Sequence, residues 1–266
     1  MGVPKRRIPA QDPGAKGGLA GRMVGTGRMI NSQRPVLVVT NDDGIEAPGL
    51  AALSEAAKEF GRVVIVAPRE PSSGCSHQAT THGPIEIRCL GSDRFAVGGT
   101  PVDCVRLAID QLVPDAVWIL SGINAGGNLG TDVFHSGTVA AVREAAIHGR
   151  RGIAVSQYLA RGRPVDWATA SSWAARALGQ IMRMGWEPGS FWNVNLPHPP
   201  PGVPDPKLTI CALDPSPLPL AYRRDADSVF YEGDYQSRAR RPGGDVAVCF
   251  GGDIAITRLT LVGPSD

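Results

Sequence analysis

The feature that most constrains the fold is the apolar run Pro35-Val-Leu-Val-Val-Thr40, which stands directly before the acidic turn Asn41-Asp42-Asp43-Gly44. A continuous run of this kind is typical of a strand that is covered on both faces. A helical pattern follows, Gly61 is placed to end it, and residues 63–67 form a second buried run. The apolar stripe of that helix is Leu50, Leu53, Ala57 and Phe60. This strand–loop–helix–strand order predicts the start of an open parallel sheet.

The same alternation recurs as far as residue 197. Thr100 is placed as the N-cap of a helix, with Pro101 as its first residue and Asp103 favourable to its dipole, and Asp166 is placed to cap a later helix. Further strands are predicted over 85–89, 94–97, 116–120, 153–156 and 191–196, and helices over 101–112, over 138–148 and from 166 onward. We therefore expect an α/β protein with a Rossmann-like, open and mostly parallel sheet flanked by helices.

The two ends of the chain differ from this core. Residues 197–219 hold nine of the 23 prolines, and alternating segments follow near 246–250 and 253–259. We expect a β-rich C-terminal extension, residues 198–266, that lies outside the parallel sheet. Residues 1–34 are basic and rich in Gly and Pro, with no apolar segment typical of a signal peptide. They are predicted to be a disordered tail before the core at 35–197, with a localisation or binding role as the alternative.

Charge and composition exclude several classes of function. Residues 1–34 contain seven of the 27 bases and one of the 25 acids, which leaves the remainder at about −4 and without a global nucleic-acid footprint. No apolar run approaches the roughly 20 residues that a membrane span needs. The five cysteines and five histidines do not fall at zinc-ligand spacing, so any metal ligands should be oxygens. The odd cysteine count suits a reducing cytosol, and we expect a cytoplasmic protein.

The turn Asn41-Asp42-Asp43-Gly44 is the first candidate site, because strand ends in an open α/β sheet line the ligand crevice. Two adjacent carboxylates repel each other in a partly dry site, and Mg²⁺ or Mn²⁺ would relieve that repulsion. The alternative is that one of these acids only caps the next helix or makes an Asx turn.

Three further segments are placed to meet this turn. The loop Ser72-Ser73-Gly74-Cys75-Ser76 offers hydroxyls, and the glycine-rich segment 121–130 offers the amides of Asn124 and Asn128. Ser136-Gly137-Thr138 opens a helix whose free N–H groups suit a phosphate, although Ser136 could be a plain N-cap. Neither a dinucleotide fingerprint nor a Walker lysine is present. The inventory suits metal-assisted phosphoryl hydrolysis.

Five ordered blocks of this sequence resemble the SurE family of survival-protein nucleotidases, in register from about Val36 to Ser156 and more faintly beyond. The blocks are Val38-Val-Thr-Asn-Asp-Asp-Gly-Ile-Glu-Ala-Pro-Gly-Leu50, Ala67-Pro68 through Ser73-Gly74-Cys75-Ser76, Gly99-Thr-Pro-Val-Asp-Cys104, Ser121-Gly-Ile-Asn-Ala-Gly-Gly-Asn-Leu-Gly130 and Ser136-Gly-Thr-Val-Ala-Ala141. The fainter part runs through Asn193-Val-Asn-Leu-Pro197 to Asp253-Ile-Ala-Ile-Thr257.

The resemblance implies a metal-dependent phosphatase that acts on nucleoside 5′-monophosphates, with relaxed nucleotide choice that extends to 3′-nucleotides and short polyphosphate. It implies one divalent cation, Mg²⁺ or Mn²⁺, per subunit. By the same resemblance, the metal ligands would be Asp42, Asp43, Ser73 and Asn124. The phosphate would be faced by Asn41, Asn128, Ser136, Gly137 and Thr138. Asp42 and Asp43 would be the catalytic acids, with Asp43 either orienting the attacking water or attacking phosphorus itself.

The resemblance also implies a homodimer or homotetramer, assembled through a protruding C-terminal arm. The proline-rich stretch and the β segments that follow it fit such an arm, because a lone hairpin needs packing partners. Arg223, Arg224, Arg238, Arg240 and Arg241 form a basic run that is broken by Tyr231 and Tyr235. We expect this run to be a solvated or intersubunit face, with nucleotide binding as the alternative.

Four segments or single residues depart from the family pattern. Arg69-Glu70-Pro71 replaces the usual Asp-x-Asn, Thr131 stands where an acid is common, and Arg258 stands where proline is usual. His135 replaces an aromatic residue before Ser136, and it is expected to be a packing substitute, with protonation of a leaving alkoxide as the alternative.

Two rival functions are a haloacid-dehalogenase-like phosphatase, which needs Asp-x-Asp, and a metal- or nucleotide-binding module without turnover.

Overall fold

The protein was analysed as a computed structural model that describes residues 34–200 and 202–262. The prediction of a disordered basic tail over residues 1–34 therefore falls almost wholly outside the described residues. The first half contains β1 (Val36–Thr40), α1 (Pro48–Ala57), β2 (Arg62–Pro68), β3 (Ile87–Gly91), β4 (Arg94–Val97), α2 (Pro101–Leu107) and β5 (Ala116–Ala125). The second half contains α3 (Gly137–Ile147), β6 (Arg151–Gln157), α4 (Trp167–Arg183), β7 (Ser190–Leu196), β8 (Leu208–Ile210), β9 (Tyr222–Asp225), β10 (Ser228–Tyr231), α5 (Asp245–Phe250) and β11 (Ile254–Thr260).

Nine strands of the described chain form one sheet in the order β3-β4-β2-β1-β5-β6-β7-β11-β8. The six strands from β4 to β7 run parallel, whereas β3 and β11 are antiparallel to their neighbours β4 and β7. The chain proceeds outward from β1 through β2 to β4 and then returns to β5 on the other side of β1. This reversal makes the crevice between the carboxyl ends of β1 and β5 the expected ligand site of an open sheet. The predicted fold class is confirmed.

Helices cover both faces of the sheet because the central strands are apolar on both sides. Leu37 and Val39 of β1 pack into a core shared with α1 and α4. Val36 and Val38 face the opposite way, into a core shared with α2 and α3. This period-2 division of one buried strand is what the run 35–40 predicts. No helix in the described ranges is long and apolar enough to cross a membrane.

Local start signals were predicted well. Thr100 and Asp103 form a reciprocal capping box at the start of α2, in which the Thr100 side chain accepts from the Asp103 N–H. Asp166 caps α4 by accepting from the N–H groups of Ala168 and Thr169. End signals were less accurate, because α1 ends at Ala57 rather than continuing to Gly61, and α2 gives way to a π-helical turn over Ala108–Leu112.

The predicted β-rich C-terminal extension is confirmed by strands β8 to β11, but two details of the prediction were wrong. The segment 246–250 is helical, because Val246 and Cys249 are three residues apart and both are buried against Leu129 and Ala255. In addition, β11 pairs with β7 and β8 pairs with β11, so both strands belong to the central sheet. Among the described residues, β9 and β10 form a separate two-stranded hairpin, and all the residues of these two strands are exposed.

Candidate functional site

Asn41, Asp42 and Asp43 follow β1 at the carboxyl edge of the sheet, beside the point where the strand order reverses. The Asn41 side chain is fully buried, and its Nδ2 donates to the Gly44 carbonyl at 2.9 Å. Asn41 therefore stabilises the turn from within. Its role in phosphate binding stays a prediction, although its buried Oδ1 has no partner in the described residues.

Asp42 is held at the N-terminus of α3. Its side chain is only 5% exposed, and Oδ1 accepts a 2.6 Å hydrogen bond from the Thr138 hydroxyl. A negative charge at a helix N-terminus is favoured by the free N–H groups and by the helix dipole. The structure therefore places Thr138 against a carboxylate, where the sequence predicts a contact with phosphate.

Gly137 allows this close approach of α3 to Asp42. A Cβ atom at position 137 would lie 2.9 Å from Asp42 Oδ2 and 3.0 Å from the Cys75 Sγ. Both distances are shorter than van der Waals contact, so any larger residue would push the carboxylate or the loop away. The Gly137 N–H, in the first turn of α3, has no acceptor among the described residues. Ser136 is the N-cap, because its Oγ accepts from the Val139 N–H at 3.0 Å.

The two acids share a partly dry environment. The pKa of Asp42 is raised to about 6. Burial raises it most, hydrogen bonding from Thr138 lowers it, and the charge of the neighbouring Asp43 raises it. Burial also raises the pKa of Asp43, against a 3.3 Å hydrogen bond from the Ala125 N–H to its Oδ2. In the described ranges no Lys, Arg or His side chain forms an ion pair with either carboxylate. A divalent cation is one kind of partner that could neutralise such a pair.

The second loop is tied to the first through its backbone. The Ser72 N–H donates to the Asp42 carbonyl at 2.7 Å, which brings Ser73 next to the acidic turn. Ser73 and the following Gly74 are exposed, and Gly74 has a positive φ of 76°. The structure thus places the predicted hydroxyl ligand at the rim of the site.

The third segment reaches the site because β5 is longer than predicted. It continues through Ser121–Ala125, and its register against β6 shifts between Ser121 and Asn124. Gly122 makes this irregularity possible, since it has φ 131° and a Cβ there would lie 2.1 Å from the Val155 carbonyl oxygen. Asn124 Nδ2 donates to the Gly126 carbonyl at 2.7 Å, so Oδ1 is the atom that could ligate a metal.

Asn128 belongs to a buried network of amides. Its N–H donates to Asn195 Oδ1 and its Nδ2 donates to Ser156 Oγ, both at 2.8 Å. Its carbonyl accepts from Asn193 and Asn195, which are two residues apart and therefore on the same face of β7. Asn128 thus fixes the glycine-rich segment to the sheet, and its contact with phosphate stays a prediction. The repeated Asn in Asn193-Val-Asn195 was the sequence signal for this network.

Sequence reasoning missed the contribution of the C-terminal region. Arg238 is completely buried and forms a 2.8 Å ion pair with Asp132, which also accepts from the Tyr235 hydroxyl at 2.7 Å. Arg238 and Tyr235 therefore both bind Asp132, which lies in the segment that follows the glycine-rich loop. The expectation that the basic run is a solvated or intersubunit face is wrong for Arg238, because its side chain is buried and paired with Asp132. His135 is exposed beside Ser136, and its role stays a prediction.

The site as a whole brings together the loop after β1, the Ser73 loop, the end of β5 and the start of α3. The donors are two carboxylates, a hydroxyl and an amide oxygen, which are the oxygen ligands that Mg²⁺ and Mn²⁺ prefer. Within the described residues there is no group of three or more His, Cys, Asp or Glu side chains that could hold a metal. A buried acid and a partly buried acid, with neutral oxygen donors on the neighbouring loops, form a set that could hold one divalent cation.

The reversed strand order, with an acid pair at the reversal point, defines an open-sheet α/β protein whose candidate site lies at the carboxyl ends of its strands. The family model described as "Survival protein SurE" matches residues 37–213, more than half of the chain. The chain therefore belongs to the SurE family, and this prediction is confirmed.

Known proteins agree with this assignment. A candidate 5′-nucleotidase from Nostoc sp. strain PCC 7120 is 50% identical over 227 residues, which cover 85% of this chain and 99% of that protein. The 5′-nucleotidase SurE of Rhizorhabdus wittichii is 44% identical over 167 residues, which cover 60% of this chain and 66% of that protein. The crystal structure of the SurE protein from Aquifex aeolicus superposes with a TM-score of 0.75 at 29% identity, over 86% of this chain and 94% of that one.

Proposed function

We propose that this protein is a metal-dependent phosphomonoesterase that hydrolyses nucleoside 5′-monophosphates to nucleoside and phosphate. The names of its relatives in Nostoc and Rhizorhabdus support a 5′-nucleotidase activity. The single observation that carries the proposal is the enclosure of Asp42. Its carboxylate is held by Thr138 at 2.6 Å and its carbonyl by the Ser72 N–H at 2.7 Å, next to an acid that is unpaired by any base in the described residues.

One divalent cation, Mg²⁺ or Mn²⁺, would be held by Asp42, Asp43, Ser73 and Asn124. When bound, it would polarise the phosphoryl group and neutralise charge on its oxygens. The protein's own contribution is to fix the donors in place. Asp42 is clamped by α3, Asp43 is oriented by the Ala125 N–H, and Asn124 is oriented by Gly126. Such preorganisation is the usual source of electrostatic stabilisation in a transition state.

The start of α3 would bind the phosphate through backbone rather than hydroxyl groups. The Thr138 hydroxyl and the Ser136 Oγ are engaged with Asp42 and with the Val139 N–H, respectively. The N–H of Gly137 has no acceptor within the described part of the chain and lies at the positive end of the helix. A phosphoryl oxygen close to this N–H would be stabilised as its charge develops.

Asp43 is the acid that would act on phosphorus, because it is the less enclosed of the pair. Its Oδ2 accepts from Ala125, which leaves Oδ1 to attack phosphorus or to orient the attacking water. These two mechanisms differ in whether a phosphoryl-aspartate forms. Reduction with borohydride during turnover would convert that residue to homoserine only if Asp43 is the nucleophile.

The decisive experiment measures phosphate release from nucleoside 5′-monophosphates with Mn²⁺, with Mg²⁺ and with a chelator. We expect turnover with metal and a loss of at least about 100-fold with chelator, given what ligand-shell changes cost in metal enzymes. Binding of nucleotide without release of phosphate would instead support a binding module without turnover. A panel that adds 3′-nucleotides and short polyphosphate would test the relaxed specificity.

We also propose that the protein acts as a cytoplasmic homodimer or homotetramer, without a specific nucleic-acid partner. The hairpin of β9 and β10 supports this, because Tyr222, Val229, Phe230 and Tyr231 are all about half exposed on an element too small to be stable alone. Free thiols at all five cysteines suit a reducing compartment. Deletion of residues 222–231 should reduce the mass measured by sedimentation, and an unchanged mass would contradict assembly through the hairpin.

A further inference from the structure

Glu144 is a buried acid of α3 that the proposed chemistry does not use. It is 1% exposed, and its carboxylate accepts from partners on three separate segments. Arg106 Nε of α2 lies 2.5 Å from Oε1, His148 Nε2 lies 3.0 Å from Oε1, and His77 Nε2 lies 2.8 Å from Oε2. Burial alone would raise the pKa of Glu144, but the hydrogen bonds from Arg106, His77 and His148 outweigh it and lower the pKa. The carboxylate is therefore ionised and fully partnered.

Only one of these partners connects Glu144 to the candidate site. His77 ends the loop of residues 72–77, which carries the proposed ligand Ser73, whereas Arg106 belongs to α2 and His148 directly follows the C-terminal end of α3. Glu144 stands seven residues after Gly137, so the two residues occupy the same face of α3 two turns apart. Gly137 faces the Cys75 Sγ and Glu144 faces His77. The loop thus lies along one face of the helix whose start clamps Asp42.

The bonds of the loop fasten both sides of Ser73. On one side the Ser72 N–H donates to the Asp42 carbonyl at 2.7 Å. On the other side Ser76 Oγ donates to the Phe134 carbonyl at 2.9 Å, and His77 reaches Glu144. Ser73 and Gly74 between these points are exposed. The position of the Ser73 hydroxyl therefore depends on its flanking contacts rather than on packing of its own.

The protonation of the His77 ring follows from its contact with Glu144. An ionised carboxylate can only accept, so the 2.8 Å contact with Oε2 places a proton on His77 Nε2, while Arg143 Nη1 lies 3.5 Å from Nδ1. His77 Nε2 therefore donates to Glu144. A glutamine at position 77 could reproduce the Nε2 donor, whereas an alanine could not.

We propose that His77 and Glu144 are positioning residues that hold the Ser73 loop against α3 and so set the place of the Ser73 hydroxyl relative to Asp42 and Asp43. This inference rests on the proposed function, since it assigns Ser73 to the metal. Contacts that orient metal ligands from outside the ligand shell typically change metal affinity 10–100-fold when they are removed. If the cluster had only a structural role, the loss of His77 and the loss of His148 would have equal effects on metal binding.

The test compares His77→Ala with His148→Ala, because each removes one imidazole from the same carboxylate and only His77 belongs to the loop. We expect His77→Ala to weaken Mn²⁺ binding, measured by electron paramagnetic resonance of the free ion, by about 10-fold or more. His148→Ala should change it by less than about twofold, and His77→Gln should restore affinity to within about threefold of the wild type. Equal losses in the two alanine variants, or no rescue by glutamine, would overturn the proposal.

A second measurement separates this inference from the proposed function. Amide hydrogen exchange without metal should speed up across residues 72–77 in His77→Ala and stay at the wild-type rate in His148→Ala, because only the former releases the loop. Unchanged exchange in His77→Ala would overturn the positioning role even if Mn²⁺ binds. Absence of Mn²⁺ binding in the wild type would instead contradict the metal site, and accelerated exchange would then still support the anchoring of the loop.

Discussion

The two ends of α3 each hold a buried acid, and the two acids behave in opposite ways. At the N-terminal end, burial raises the pKa of Asp42 to about 6, and in the described ranges no basic side chain pairs with it. Two turns further on, burial would likewise raise the pKa of Glu144, but the hydrogen bonds from Arg106, His77 and His148 outweigh this and lower it. Burial alone therefore does not decide the sign of a pKa shift, because the partners decide it.

The difference indicates what each acid is for. An acid whose charge is matched within the chain contributes to the folded structure and can be removed only with a loss of stability. An acid pair that is buried without a basic partner is destabilising by itself, and such groups concentrate at functional sites. The contrast supports the proposals that Asp42 and Asp43 bind a cation from outside the chain and that Glu144 positions the loop beside them.

The largest expected effect comes from Asp42→Asn. Removal of a proposed ligand should lower nucleotidase activity at limiting Mn²⁺ by more than about 100-fold, since changes outside the ligand shell already cost 10–100-fold. The free energy of unfolding in chelator should be equal to or higher than that of the wild type, because a buried and unpaired charge is removed. Activity assays and urea denaturation check the two parts.

Glu59→Gln is the matched control for this substitution, because Glu59 is an exposed acid remote from the loops of the site. It should leave both activity and stability unchanged. An unchanged rate for Asp42→Asn at limiting metal would refute the assignment of Asp42 as a ligand. A marked loss of stability in chelator would show that Asp42 is structural, as Glu144 is, and would remove the contrast between the two ends of the helix.

Patterns that depend on near neighbours were predictable from the sequence. The run 35–40 gave the buried strand, Thr100 with Asp103 gave the capping box, and Asp166 gave the N-cap of α4. The carboxyl edge of the sheet also brought the acidic turn, the Ser73 loop and the segment after β5 together, as open-sheet topology requires. The ligand and phosphate roles of these residues stay predictions.

Contacts between residues distant in sequence could not be predicted. His77 and Glu144 are 67 residues apart, and Asp132 and Arg238 are 106 apart, so no local period connects them. Short apolar segments were also ambiguous, which is why 246–250 was assigned to a strand although it is a helix. Because β11 completes the sheet against β7, truncation after residue 197 would expose a core strand, and deletion of the hairpin is the cleaner test of assembly.

A smaller effect is expected from Gly137→Ala, which tests the close contact between the N-terminal end of α3 and Asp42. The added methyl group would lie 2.9 Å from Asp42 Oδ2 and 3.0 Å from Cys75 Sγ, so it must displace the carboxylate or the loop. We expect activity to fall by roughly 10-fold, because a misplacement of about 1 Å at a catalytic group can cost up to 100-fold. Steady-state kinetics should show the loss.

Gly179→Ala in α4 is the control for Gly137→Ala. A Cβ there would meet its nearest atoms at 3.4 Å or more, which is ordinary contact, and the position is within a helix. Alanine should therefore raise the free energy of unfolding by about 0.5–1 kcal/mol without changing the rate. If Gly137→Ala kept full activity, the close approach of α3 to Asp42 would not matter for the reaction.

The other end of the helix is tested by the pH dependence of the stability of Glu144→Gln. The variant should lose about 1–3 kcal/mol of stability at neutral pH, since a charged hydrogen-bonded group is replaced by a neutral one. The pKa of Glu144 is lowered in the folded state, so its contribution is complete above the unfolded pKa of about 4.3 and is lost as the pH falls through the lower folded value. Urea denaturation of the wild type and of Glu144→Gln from pH 7 to pH 3 should therefore show a difference in the free energy of unfolding that decreases below about pH 4.3. Glu59→Gln should show no difference from the wild type. If this difference in the free energy of unfolding increased toward pH 3, the charge on Glu144 would not be matched by its three partners. The acids at the two ends of α3 would then both lack a matching charge.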